Sequence, residues 1–566
     1  MIALSTPLLG SYMHRVYFTK TAPGDRVFLP AERLVYRVCG IDPEGEQRWS
    51  TYALSLLTFS LVMCVFSYAV MRLQAHLPLN PDHMKAVGPG LSFNTAVSFL
   101  TTTNWQSYSG ESTMSHLSQT VALVVQQFLA GAIGMAVVVA LIRGLSRRKS
   151  TTLGSFWVDT VRSVVRILLP ISLVAAVFLI SQGVIQNLHP RRTVPTSAVQ
   201  YLDPAGAPVR TQTVPGGPVA SMTPIELLGN NGGGFLNANL AHPYENPNPG
   251  VSVLLYWLIF MIPFAFPYTF GKAVGSMRQG WVVFASMALL LAFTTIPAYA
   301  LEARGNPKLA PAGVTQAVTP RQAGGNMEGK EVRFGVGGSI LGSASTATTA
   351  GAPNGALESF TPLAGSTALF NMMLGEVSPG GDGSGLYGKL IIVLVSVFIA
   401  GLMVGRTPEY LGKKVQAAEM KLVVLYTLAL PATILILAGT AIVLPTARTG
   451  LSTSGPHGLT ELVYAYTSAA NTNGSAFAGI NATSQWYLVT LGLAMLVGRF
   501  VTIIPVLAIG GSLVRKQAGR ASSGTFRTDT PLFLFLLLGV TAIVVGLTYF
   551  SILALGPVVE HLVGHF

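Results

Sequence analysis

Nine runs of roughly 20 mostly apolar residues dominate this chain, at about 51–73, 117–142, 163–186, 250–270, 280–300, 388–405, 421–444, 485–511 and 531–556. A bilayer core about 30 Å thick demands helices of that length, because in lipid the backbone has to satisfy its own hydrogen bonds. Half of the 566 residues are hydrophobic, only 10% are charged, and the mean hydropathy is +0.54, which excludes an ordinary soluble enzyme. The nine runs are read as membrane spans of an all-α, multi-pass protein. Pro170, Pro263, Pro267, Pro431 and Pro505 fall inside them and predict bends relieved by neighbouring helices.

Lys and Arg exceed Asp and Glu by 35 to 22, a formal charge of +13. In a soluble chain that excess would suggest nucleic acid; here its placement gives a different reading. Short basic loops hold Arg143, Arg147, Arg148 and Lys149; Lys272 and Arg278; Arg406, Lys413, Lys414 and Lys421; and Arg515, Lys516, Arg520 and Arg527. Such loops stay in the cytoplasm, and the segment 1–50, with Lys20, Arg26, Arg33, Arg37 and Arg48, joins them by alternation. The long loops 187–249 and 301–387 and the tail ending at Phe566 take the opposite side. The charge therefore marks topology, with lipid as the surrounding partner and no nucleic acid. Cys39 and Cys64 alone support neither a disulfide framework nor a cysteine metal site. The apolar run 2–9 is too short to span, and no cleavable signal peptide precedes it.

The 60 glycines point to a repeat. Each far-side loop contains a short helix-compatible stretch that ends in small polar residues: Thr103-Asn104-Trp105-Gln106, Asn230-Asn231-Gly232, Thr349-Ala350-Gly351 and Thr472-Asn473-Gly474. Their starts at 103, 230, 349 and 472 are 127, 119 and 123 residues apart. A span, a re-entrant pore helix, a filter strand and a second span, written four times, would set four strands around one axis. The repeats cover 51–142, 163–270, 280–405 and 421–511, with 531–556 as an extra last span. Gly232, Gly351 and Gly474 are expected to allow positive φ and close backbone approach, so that successive carbonyls face the axis. Trp105 stands where the first repeat would have its glycine, which predicts a stiffer strand with Gln106 taking part of the polar lining. No tripeptide contains Asp or Glu. Carbonyls without carboxylates suit a large monovalent cation such as K⁺ rather than Mg²⁺ or Ca²⁺.

At these residues the chain resembles the A subunit of the bacterial high-affinity potassium-importing Kdp complex. The most specific strings are Thr103-Asn104-Trp105-Gln106-Ser107-Tyr108-Ser109-Gly110-Glu111, Asn231-Gly232-Gly233-Gly234-Phe235, Asn326-Met327-Glu328-Gly329-Lys330-Glu331, Gly405-Arg406-Thr407-Pro408-Glu409-Tyr410-Leu411-Gly412-Lys413-Lys414 and Asn473-Gly474-Ser475-Ala476-Phe477-Ala478-Gly479. The resemblance implies a multi-pass subunit of the bacterial plasma (inner) membrane, in the superfamily of potassium transporters. K⁺ would be selected at a filter and passed through an intramembrane tunnel to a partner P-type ATPase subunit, two small membrane subunits completing the complex. Carried over by motif, the filter comprises Thr103, Asn104, Gln106, Asn230, Asn231, Gly232, Thr349, Ala350, Gly351, Thr472, Asn473 and Gly474. The chain departs from the family pattern twice. Asn230 stands where Thr is expected, and the segment 2–9 is read as the end of a further first span.

Arg406, Lys413 and Lys414 lie in a loop read either as a topology-setting turn or as a gating or docking element for the partner. Arg499 interrupts an apolar span, where an ionisable group is costly, and is expected to face the vestibule below the filter. His242 and His457 read as loop residues, His457 in a Gly-Pro-His-Gly turn, and no metal-ligand spacing is evident. Neither a phosphate-binding Gly-rich loop nor the Asp-Lys-Thr-Gly string of P-type pumps occurs, so the chain is expected to hydrolyse no ATP and to bind no cofactor, K⁺ being cargo. The alternatives are a stand-alone K⁺ channel or symporter of the Trk/Ktr type and a secondary carrier for an organic solute. The fourfold spacing counts against the carrier, whose repeats are more often twofold and inverted.

Overall fold

The computed structural model describes residues 1–195, 201–202, 206–320, 322–326, 333–519 and 526–564. The string 327–331, Arg520 and Phe566 lie outside the described residues. Among the described residues all nine runs are helices long and apolar enough to cross a membrane. In chain order with their neighbours, the helices that frame the site are α1 (Ile2–Phe18), α2 (Asp25–Cys39), α3 (Trp49–His76), α4 (Pro89–Leu100), α5 (Ser118–Ser146), α6 (Phe156–Ser181), α7 (Val219–Leu228) and α8 (Pro249–Ala273). There follow α9 (Met277–Ala303), α10 (Gly335–Ser345), α11 (Pro362–Met373), α12 (Ser384–Met403), α13 (Ala417–Val443), α14 (Gly455–Ala470), α15 (Gln485–Leu513) and α16 (Pro531–Gly564). Short hairpins are the only strands among the described residues.

Burial divides the spans into two classes. Helix α5 is 89% buried within the molecule over its apolar window, and α8 and α12 are each 72% buried, whereas α13 is 17% buried and α3 28%. The first group forms the core around which the outer spans stand, with Leu428, Leu435 and Ile436 of α13 among the side chains left for lipid.

The apolar run 2–9 is the first half of a longer element, for α1 continues to Phe18 and packs along α8. Polar residues hide that continuation in the sequence, and several of the helix's polar side chains have partners within the fold. Thr6 donates to Ile2 O at 2.9 Å, and the Tyr17 hydroxyl meets Ser163 Oγ at 2.7 Å. Tyr12 donates to Arg166 O at 3.0 Å. That carbonyl is the one Pro170 frees by lacking an N–H, and a widened turn over Ser163–Leu168 precedes the proline. Pro505 acts in the same way on Val497–Val501, the turn that carries Arg499.

Arg143, counted among the loop charges, is instead buried and pairs with Asp159 through Nη1 at 2.5 Å and Nη2 at 2.8 Å. The positive charge at the end of α5 is thus spent inside the fold.

Candidate functional site

Four short helices, α4, α7, α10 and α14, enter from the face opposite the basic loops and end inside the molecule, each followed by an irregular segment: 101–106, 229–234, 346–351 and 471–475. Proline near the first turn starts α4 and α14, where its missing N–H has no helical partner to lose. The segments then meet in cyclic order. A Cβ built on Gly232 would collide with the backbone of Gly351, and one on Gly351 would lie 2.5 Å from the carbonyl carbon of Gly474. One on Gly474 would collide with the Thr103 carbonyl, and one on Gly233 would lie 2.6 Å from Asn104 Cβ. Segment 2 touches 3, 3 touches 4, 4 touches 1 and 1 touches 2, so the four backbones close a ring.

Left-handed residues set its shape. Thr102 and Asn104 (φ 65° and 51°), Asn230 and Gly232 (52° and 83°), and Thr472 and Gly474 (58° and 85°) are left-handed, each pair separated by one residue that is not. This corrects the alignment of the first repeat by one residue: Asn104, not Trp105, occupies the glycine position. Asn tolerates the left-handed region because its short amide can bond locally, which makes the substitution invisible to a search for glycine. Trp105 is buried beside the ring, its indole N–H donating to Ser107 Oγ at 3.0 Å. Gly351 is a second correction, since its φ is not in the left-handed region; close approach, not φ, requires a glycine there.

The side chains mostly bind the scaffold. Gln106 donates to Gly234 O at 2.9 Å and ties segment 1 to segment 2. Asn231 donates to Gln127 O at 3.0 Å, and Asn473 to Thr348 O at 2.6 Å. The Thr103 hydroxyl meets that of Thr101 at 2.8 Å. Thr349, Ala350 and Thr472 are buried in the ring wall. The Asn104 amide, also buried, has no hydrogen-bond partner at either atom among the described residues.

Sequence reading missed what lies at the inner end of the ring. The second helix of repeat three is broken into α11 and α12 by a buried loop, 374–383. From it, Gly380 N donates to Ala347 O at 2.9 Å, Asp382 Oδ1 accepts from Asn230 at 3.0 Å, and Glu376 Oε1 accepts from Asn473 at 3.0 Å. Arg499 completes the closure on the remaining side, donating to Thr102 Oγ1 at 3.0 Å and to Ala130 O at 2.7 Å. Acid is thus absent from the ring segments but present one layer behind them. The Asn230 amide, standing where Thr was expected, is what reaches Asp382.

In the basic loop, Lys413 is buried and donates to Gly144 O at 2.7 Å and Leu513 O at 2.9 Å, bracing the ends of α5 and α15, while Arg406 and Lys414 are exposed. Behind segment 2, Glu226 Oε2 and Glu245 Oε1 would lie 3.0 and 2.9 Å from a Cβ on Gly234. Burial pushes the Glu245 carboxyl up to about 7, against the Leu236 N–H that donates to it at 3.2 Å.

The model of the potassium-transporting ATPase A subunit family matches residues 1–562. The chain belongs to that family. Proteins named potassium-transporting ATPase potassium-binding subunit from Mycobacterium tuberculosis (strain H37Rv) and Sorangium cellulosum are 53% and 51% identical to it over 564 and 566 residues. Each match covers 99% of this chain and 97% of the relative. The potassium transporter TrkH from Vibrio parahaemolyticus shares the fold at a TM-score of 0.51 and 14% identity, over 89% of this chain and 95% of that one. The chain is a multi-pass membrane subunit of the Kdp potassium-transport system.

Proposed function

We propose that the ring selects K⁺ from the extracellular side of the bacterial inner membrane. The ion then passes along an intramembrane path to a partner P-type ATPase subunit, which hydrolyses the ATP that drives import. Two small membrane subunits complete the assembly. The closed ring of four backbone segments, with no carboxylate in any of them, supports this reading: backbone carbonyls turned to its axis would replace the water of a large monovalent cation. The name of the relatives, potassium-transporting ATPase potassium-binding subunit, supports the link to an ATPase. The loop 374–383 and Arg499 bond to Asn230 and Thr102, near the start of the ring segments, and this closure supports a path that turns sideways within the membrane.

The test is K⁺-dependent ATP hydrolysis by the reconstituted assembly carrying Gly232→Ala. The added methyl meets the Gly351 backbone at a left-handed position, so half-activation should require at least about tenfold more K⁺, equal to about 1.4 kcal/mol. Unchanged K⁺ activation would refute the filter. The purified chain alone should turn over no ATP; hydrolysis by it would move the motor into this subunit. A stand-alone channel or symporter of the Trk/Ktr type is the weaker reading, because the likeness to TrkH concerns fold alone.

A further inference from the structure

On the flank of the ring, the connection after segment 3, the first turn of α14 and the last turn of α16 bring four side chains of matching chemistry together. Glu358, His457 and Glu461 each offer a ligand atom, and these atoms all lie within 4.8 Å of one another. The sequence places His457 in a turn, but it sits within α14, one helical turn before Glu461, so both side chains share a face. His457 Nε2 is 3.5 Å from Glu461 Oε1. That is long for a hydrogen bond, and it fits the separation of about 3.4 Å between two donors each about 2.1 Å from one tetrahedral metal ion. Across the imidazole, Nδ1 lies 2.8 Å from Glu560 Oε1. A carboxylate on Nδ1 fixes the tautomer whose Nε2 lone pair faces Glu461, as metal-ligating histidines require.

The Glu461 side chain is fully buried, its Oε2 has no hydrogen-bond partner by geometry among the described residues, and Oε1 accepts a long 3.4 Å bond from Ser452, with the Thr453 side chain also beside the carboxylate. Among the described residues no Lys or Arg forms an ion pair with Glu358, Glu461 or Glu560. Three carboxylates around one imidazole leave excess negative charge that a cation would neutralise. We propose that Glu358, His457 and Glu461 bind one divalent cation of borderline softness, Zn²⁺ in kind, with Glu560 holding the imidazole in register. One nitrogen and two carboxylates suit such an ion better than Ca²⁺, which takes six to eight oxygens. Glu358 N donates to Phe477 O at 2.9 Å, and the His457 ring lies 5.7 Å from that of Phe477. The bound ion would therefore tie α14 and the end of α16 to the chain that leaves segment 4.

Titration of the purified full chain with Zn²⁺ alone, in chelator-buffered solution and with bound metal counted, tests the site. One equivalent is expected. Affinity should fall by more than about a hundredfold in His457→Gln and Glu461→Gln, and by about tenfold in Glu560→Gln, the residue that only positions the ring. Because Glu461 is buried, Glu358→Gln serves as a partly exposed ligand variant whose backbone bond to Phe477 is kept; it too should weaken binding. Zinc-edge absorption should show nitrogen and oxygen neighbours with one imidazole and no sulfur. Absence of saturable Zn²⁺ in the folded wild-type chain, or one equivalent unchanged in His457→Gln and Glu358→Gln, would overturn the proposal.

Discussion

Repeats one, two and four differ from repeat three in how they make the same ring. In the first, second and fourth, the pore helix ends at Leu100, Leu228 or Ala470 and the chain alternates through two left-handed residues. A continuous helix then returns to the basic face. In the third, α10 runs on through tighter bonds from Thr346, Ala347 and Thr348 to the carbonyls three residues back, no residue of 346–351 is left-handed, and the return helix is broken. Three similar turns are enough to fix the ring's geometry. The fourth is released from that task, and its broken helix supplies the polar loop that holds the ring from within.

The largest test of this contrast compares two glycines. Gly474→Ala combines left-handed strain with a collision at the Thr103 carbonyl, about 3 kcal/mol together, so half-activation should need roughly a hundredfold more K⁺. Gly351→Ala meets backbone but carries no left-handed strain, and should cost about tenfold. Equal losses in K⁺-dependent ATP hydrolysis would erase the distinction. Next comes the inner closure. Arg499→Ala removes the donor to Thr102 and a cation facing Glu376 and Asp382, and should raise passive K⁺ leak through proteoliposomes. If leak, affinity and assembly all stay at wild-type values, Arg499 does not seal the inner end.

The smallest effect concerns segment 2, which Glu245 backs. Its carboxyl is raised to about 7, so the folded chain prefers the protonated form; that stability is intact below the ordinary value of 4.5 and is lost as pH rises through about 7. Thermal stability should fall between pH 5 and pH 8 by no more than about 3 kcal/mol, and Glu245→Gln should flatten the slope. An equal slope in the variant would assign the effect elsewhere.

The spans were legible because a 20-residue apolar run has no other home, and the ring because small polar strings recur at nearly equal distances. What escaped notice depends on tertiary partners. Asn104 does the work of a glycine without resembling one. The loop 374–383, with Gly375, Pro379, Gly380, Gly381 and Gly383, reads as part of the long outer connection, since α11 before it is too short to register as a span. Glu376 and Asp382 gain meaning only from Asn473 and Asn230, far away in sequence. Arg143 and Lys413 show the reverse case, charges that fit a topology rule and are also absorbed within the fold.

Ion density in the assembly tests the ring most directly. Maps of the reconstituted complex in K⁺ and in Na⁺ alone should differ by density on the axis enclosed by segments 101–106, 229–234, 346–351 and 471–475, present with K⁺ and absent with Na⁺. Potassium density found only away from that axis, with the four segments unoccupied, would contradict the account.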